Sequence, residues 1–184
     1  MLKRSFDIFF SIICLIVLFP IILIVWLLAS AATNSNGIFL QARIGQFGKS
    51  FTIYKFRTIQ LNSKTCSKFG AFVRRLKLDE LPQLLNVLQG TMSIVGPRPD
   101  IAGYYDKLNG ENRLILNLKP GLTSSAALKY SNEEAILATQ ENPLKYNDTV
   151  LFPDKVKLNL EYYYTRSFFG DLKIIWRTVF VLFK

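Results

Sequence analysis

Histidine is absent from the chain, which excludes catalysis by Ser-His-Asp or Cys-His arrangements. Any reaction is therefore left to carboxylates and cations. Cysteine is scarce: Cys14 lies in an apolar run and Cys66 in a polar stretch, no framework for a disulfide and a pattern that suits a reducing compartment. Acids are outnumbered, 13 against 23 basic residues, and the formal charge is +10. That excess points to a polyanionic partner: nucleic acid, an anionic membrane face or a phosphorylated substrate. Repeats, low-complexity tracts and the glycine motifs of P-loops and dinucleotide folds are also missing. What is present is 184 residues, enough for one core, with half of them apolar, a composition that argues against disorder.

Charge is missing altogether from Ile8 to Ala32, a run of mostly Ile, Leu, Val and Phe long enough to span a bilayer. A signal peptide would explain Lys3 and Arg4 before the run and Ala29-Ser30-Ala31 near its end, but the apolar part is too long and Asp7 stands at its start. A straight transmembrane anchor is opposed by Pro20, which removes a backbone hydrogen bond mid-run. Basic residues also flank both sides, with Arg43, Lys49, Lys55 and Arg57 following, and this pattern keeps both ends cytoplasmic. The expectation is a broken, re-entrant helix over residues 1–36, followed by a separate domain over residues 37–184.

Ile38 to Arg57 reads as two strands around a turn marked by Gly45 and Gly48-Lys49. In the second strand, a period of two puts Phe51, Ile53, Lys55 and Arg57 on one face, so two cations can meet the same anion; a solvated edge is the plainer alternative. In "RRLKLDELPQLLNVLQGTMSIVGPRP" (74–99), Leu78, Leu81, Leu85 and Leu88 recur at helical spacing and Gly90 is a natural stop. Pro82 fits only a first turn. Asp79 and Glu80 then sit at a positive helix end, where one acid would suffice as a cap and where a phosphate is also attracted. Arg98 stands between two prolines, its guanidinium presented from stiff backbone and able to fork onto carboxylate or phosphate. "LKPGLTS" (118–124) reads as a turn and Lys129 to Asn147 as a helix plus loop. "RSFFGDLKIIWRTVFVLFK" at the end, with Lys173, Arg177 and Lys184, suits either a helix in the membrane interface or one packed on the core.

Taken together, "KRSFD" (3–7), "QARIG" (41–45), "FTIYKFRT" (51–58), "LDELPQLLNVLQGTMSIVGPRP" (78–99), "KPGLT" (119–123) and "SFFGDLKII" (167–175) resemble the small monotopic phosphoglycosyl transferases, the bacterial sugar transferase family. The resemblance implies an α+β domain, mostly helical with one β-hairpin, with a re-entrant membrane helix and amphipathic interfacial helices, on the cytoplasmic face of the bacterial inner membrane. It implies transfer of sugar 1-phosphate from a UDP-sugar to undecaprenyl phosphate, with release of UMP, a covalent aspartyl intermediate and a need for Mg²⁺. Asp79 is similar to the family's nucleophile, Glu80 to its metal-binding acid and Arg98 to its phosphate-binding arginine, while Lys55, Arg57 and Arg74 match further basic positions. Such chemistry is coherent, since a carboxylate ringed by arginine and lysine stays ionised at neutral pH. The chain departs from the family's pattern at Phe19, Lys77 and Ser124, and most of all after Leu122, where the sugar or nucleotide is expected to lie. A basic membrane-surface adaptor for anionic lipid or nucleic acid would explain the charge but not "LDELPQL" or "GPRP". Nucleic-acid binding is accordingly not expected. Hydrolysis of the nucleotide sugar would use the same site with water as acceptor.

Overall fold

The structure, a computed structural model, describes residues 2–61 and 65–182. Helix α1 (Leu2–Thr33) runs for 32 residues, roughly 48 Å at 1.5 Å per residue, with Pro20 inside it. The helix continues through Pro20, so the break expected there is not seen in its secondary structure. Asp7, Ser11, Val25, Ala29 and Thr33 are buried, with Cys14 and Ile22 half-buried between them; the spacing of three and four makes one stripe along the helix. Phe10, Cys14 and Leu15 pack on one core cluster and Ile22, Val25 and Ala29 on another, so the stripe lies on the rest of the molecule near both ends of the helix. Ile16, Val17, Ile24 and Leu27 are among the apolar residues left exposed on the other side.

The hairpin is as expected. Strands β1 (Ile38–Ile44) and β2 (Ser50–Phe56) pair antiparallel, in register from Ile38 opposite Phe56 to Ile44 opposite Ser50. The free edge of β2 is closed by a side chain rather than a strand. Asn86, fully buried, accepts from the Tyr54 N–H at 3.1 Å and donates to the Thr52 carbonyl at 2.7 Å. Replacing Asn86 by leucine is expected to cost about 2–4 kcal/mol, because two backbone groups lose their partner inside the core. Denaturant unfolding of the detergent-solubilised protein measures this, and a loss below about 0.5 kcal/mol would show that the edge is satisfied some other way.

After α2 (Lys68–Arg75), Lys77 takes a left-handed conformation with φ of 55° and turns the chain. The leucine-spaced segment is not the single helix that its pattern predicts. Leu78–Glu80 is a 3₁₀ turn, and α3 (Gln83–Gln89) starts after Pro82. Pro82 has no N–H to give to the Leu78 carbonyl, which instead accepts from the Leu81 N–H at 3.3 Å, the tighter i to i+3 bond. The buried face of α3 is Gln83, Leu84, Asn86 and Val87, whereas Leu85 is 44% exposed.

Residues 118–124, read as a turn, hold a strand. β3 (Ser93–Val95) and β4 (Gly121–Thr123) pair in parallel, Ser93 with Gly121 and Val95 with Thr123. Three residues are too few to show a period. Gly96 and Gly121 allow the approach: a Cβ on Gly96 would lie 2.3 Å from the Lys119 carbonyl oxygen, and one on Gly121 would lie 2.1 Å from the Gly96 nitrogen.

After the short helix α4 (Ser125–Lys129), the stretch from Lys129 to Asn147 holds two short helices, α5 (Glu133–Ala138) and α6 (Pro143–Tyr146), where one helix plus loop is expected. Then α7 (Phe152–Thr165) and α8 (Phe168–Leu182) close the molecule. Of the two readings of the last segment, packing on the core is the one seen. Ile174 and Ile175 of α8 pack on the core cluster of Ile53, Leu84, Val87, Met92, Ile94 and Val95. Phe169, Trp176 and Phe180 are exposed, beside exposed Lys173 and Arg177, while Lys184 lies outside the described residues.

Candidate active site

Asp79 and Glu80 share the 3₁₀ turn that Lys77 and Pro82 isolate, and both are buried. Lys55 reaches them from β2, its Nζ 3.0 Å from Glu80 Oε1. Arg98 comes from the far side, four residues beyond Ile94 of β3. Its approach is held by backbone bonds from Gly96 N–H to the Thr123 carbonyl at 3.0 Å and from Gly121 N–H to the Pro97 carbonyl at 2.9 Å. The guanidinium forks onto Glu80, with Nη1 donating to Oε2 at 3.1 Å and Nη2 to Oε1. A fork of this kind is the strong, geometrically specific form of the ion pair.

The two neighbouring acids therefore have different surroundings. Burial alone would raise the Glu80 pKa, but the charges and hydrogen bonds of Arg98 and Lys55 outweigh it and hold the carboxyl well below the usual range. Asp79 shows the reverse. Burial and then the negative charge of Glu80 push it up to about 6, against the weaker pull of Lys55, Arg74 and Lys77. Its Oδ1 is buried and accepts no hydrogen bond. Ionisation of Asp79 at neutral pH therefore stands, but by a narrow margin: Lys55 and Arg98 bond to Glu80, and Asp79 is left as a desolvated carboxylate.

Two other basic positions fall elsewhere. Arg57 does not join Lys55 on a shared anion: its Nη2 donates to the Ile38 carbonyl at 3.3 Å and its guanidinium lies over the Phe39 ring, 5.3 Å from the centroid. It follows the last residue of β2, where the period of two no longer governs direction. Arg74 lies within electrostatic reach of Asp79 but makes its ion pair with exposed Glu134 of α5. Around the dyad are groups not singled out from sequence as site residues. Arg43 lies 3.7 Å from Asp100 and feels the charges of both Arg98 and Glu80, and Lys155 is 2.6 Å from Glu133, an acid that also acts on Arg98. Arg43 lies in the "QARIG" stretch and could have been marked from it. Glu133 and Lys155 carry no sequence signal, because α5 and α7 meet only in the fold.

A magnesium ion takes oxygen ligands, commonly one or two carboxylates completed by substrate phosphates. The donors here fit that habit and no richer one. Asp79 offers an unpartnered buried oxygen and Glu80 a carboxylate now given to two cations, while no cluster of three or more His, Cys, Asp or Glu suited to a metal occurs among the described residues.

Residues 1–184 match the bacterial sugar transferase family. The chain is 33% identical over 196 residues to the UDP-glucose:undecaprenyl-phosphate glucose-1-phosphate transferase of Escherichia coli strain K12, covering 98% of the chain but 40% of that longer relative. It is 33% identical to the exopolysaccharide production protein PSS of Rhizobium leguminosarum bv. phaseoli, covering 97% of the chain and 93% of the relative. A sugar transferase of Bacillus subtilis strain 168, EpsL, is 35% identical, with 97% and 85% covered.

Proposed function

This chain belongs to the bacterial sugar transferase family, and we propose that it transfers a sugar 1-phosphate from a UDP-sugar to undecaprenyl phosphate, initiating an exopolysaccharide or related glycan. The observation that carries the mechanism is the buried, unpartnered Oδ1 of Asp79 beside a Glu80 clamped by Lys55 and Arg98. An oxygen without a hydrogen bond, its pKa raised to about 6, is more nucleophilic than a solvated carboxylate and still mostly ionised at neutral pH. A carboxylate oxygen of Asp79 attacks the phosphorus that bears the sugar. The bond from that phosphorus to the bridging oxygen breaks, and UMP leaves with the oxygen and its electron pair. An oxygen of the lipid phosphate then attacks the same phosphorus and displaces the Asp79 carboxylate, leaving the sugar on a lipid diphosphate. Arg98 and Lys55 stand ready to share their charge with the pyrophosphate as negative charge builds on it. A magnesium ion held by Glu80 together with pyrophosphate oxygens would, when bound, add further neutralisation there.

The same reading seats the protein on the cytoplasmic face as a monotopic membrane enzyme, both ends of α1 on one side. Support comes from the stripe that lies on the domain near both ends of the helix, since a helix crossing to the far side would carry one end away from it. Cysteines placed at Ser5 and Asn36 are expected to resist an impermeant reagent in intact cells. Labelling of either from outside would overturn this seating.

The chemistry is tested with the full chain in lipid nanodiscs, Mg²⁺ and a panel of UDP-hexoses and UDP-N-acetylhexosamines. Without lipid acceptor, the correct donor should release about one UMP per active site and leave a sugar-phosphate mass on the peptide containing Asp79; undecaprenyl phosphate should then bring turnover, with ping-pong kinetics. Continuous UMP release without acceptor would mean hydrolysis. Full activity with acceptor but no adduct without it would mean direct attack by the lipid.

A further inference from the structure

We propose that Asp7, in the second turn of the membrane helix, is a positioning residue for the active site, acting through β3 on Arg98. The inference rests on the transferase reading for its kinetic consequence, not for its geometry. Asp7 is 2% exposed. Its Oδ2 accepts the Ser93 hydroxyl at 2.8 Å and its Oδ1 the Ile94 backbone N–H at 3.2 Å, so one carboxylate grips two successive residues of β3. Lys3, one turn earlier, lies 3.3 Å from Asp7 and 2.8 Å from Asp171 of α8, and Asp171 accepts the Tyr162 hydroxyl of α7 at 2.6 Å. Four elements thus meet on one network of charges and hydrogen bonds, in which Asp7 and Asp171 are buried and Lys3 is 37% exposed.

Apolar packing along the α1 stripe would hold the helix to the domain without any of this. A buried carboxylate is costly unless paired, so its benefit lies in register: sliding α1 along the domain would strand the charge. The strand it grips has little slack before the site. Beyond Ile94, Gly96 N–H is bonded to Thr123 and the Pro97 carbonyl to Gly121, and Pro97 and Pro99 stiffen the backbone on either side of Arg98. A displacement at Ile94 is therefore delivered to the Arg98 fork on Glu80, and the depth at which α1 sits on the domain sets the geometry of the dyad.

The test compares wild type, Asp7→Asn, Arg98→Ala and the double variant, each as the full chain in nanodiscs. Hydrogen exchange is read on the peptide containing Ser93 to Arg98, and kcat and KM for the donor are read per folded molecule. Asp7→Asn is expected to speed exchange in that peptide and to lower kcat at least tenfold, with donor KM changed less than threefold. In the Arg98→Ala background the same substitution should change kcat less than twofold, because the group it acts through is gone. A purely structural role would lower the folded yield, leave kcat per folded molecule unchanged and overturn the proposal; so would equal effects in both backgrounds, or unchanged exchange. An inactive wild type would fail the transferase reading instead, and the exchange result would still decide whether Asp7 holds β3.

Discussion

Asp79→Asn is expected to end turnover and at the same time make the protein harder to unfold. The amide cannot form the acyl phosphate, so less than a few per cent of wild-type activity should remain. The stability gain follows from the raised pKa. A folded-state value of about 6 against an ordinary 3.8 means that the fold binds this proton more tightly than the unfolded chain does. Its contribution is favourable while the group is protonated, and is lost as pH rises through about 6. At pH 7.5 the native state holds a charge that costs on the order of 2–3 kcal/mol, at about 1.4 kcal/mol per pKa unit, and asparagine removes it. The variant should be more resistant to denaturant than wild type at pH 7.5 and no more resistant at pH 4. Were the acid only a helix cap, the same substitution would lose about 1 kcal/mol and keep the rate. The wild-type kcat/KM should fall about tenfold per pH unit below about 6, as the nucleophile takes up its proton. A flat profile down to pH 4.5 would remove Asp79 from that role.

Glu80→Gln should move stability the other way. Lys55 and Arg98 both converge on this carboxylate, and removing one partner of a buried pair leaves the other charges uncompensated. The cost is expected to be about 2–3 kcal/mol rather than the upper end for a fully buried pair, because the Arg98 side chain is 42% exposed and can turn to water. Here the folded pKa is depressed, so the stabilisation is present above the ordinary carboxylate range and fades as pH falls below it toward the folded value. Turnover should fall at least a hundredfold, since the arginine fork is no longer held in place. At pH 7.5 the order of stability is expected to be Asp79→Asn, wild type, Glu80→Gln. Two adjacent carboxylates with opposite effects is a demanding result, and equal signs would refute the division of roles.

Some of this was legible in residue order. The hairpin from Ile38 to Phe56 follows from two β-rich runs around Gly45 and Gly48, because its contacts are local. The parallel pairing of β3 with β4 was not legible. Its partners, Ser93 and Gly121, are far apart in the chain, and glycine at 96 and 121 reads as a turn signal until the two backbones are seen in contact. The leucine pattern from Leu78 to Leu88 overstated the helix, because periodicity ignores the missing donor at Pro82. Asp7 read only as a charge at the mouth of an apolar run, since a buried acid and an exposed one look alike in a sequence.

By itself, the sequence determined which groups are available for chemistry: no histidine, adjacent acids at 79 and 80, an arginine between prolines, and a lipid-compatible run at the start. Only the tertiary structure decided how charge is divided between the two acids. Glu80 takes its cations from Lys55, 25 positions away, and Arg98, 18 positions away, while Asp79, one residue along, turns an unpartnered oxygen into the interior. A carboxylate's pKa depends on the water it loses and the charges it meets, and both are set by elements that approach it through space rather than along the chain.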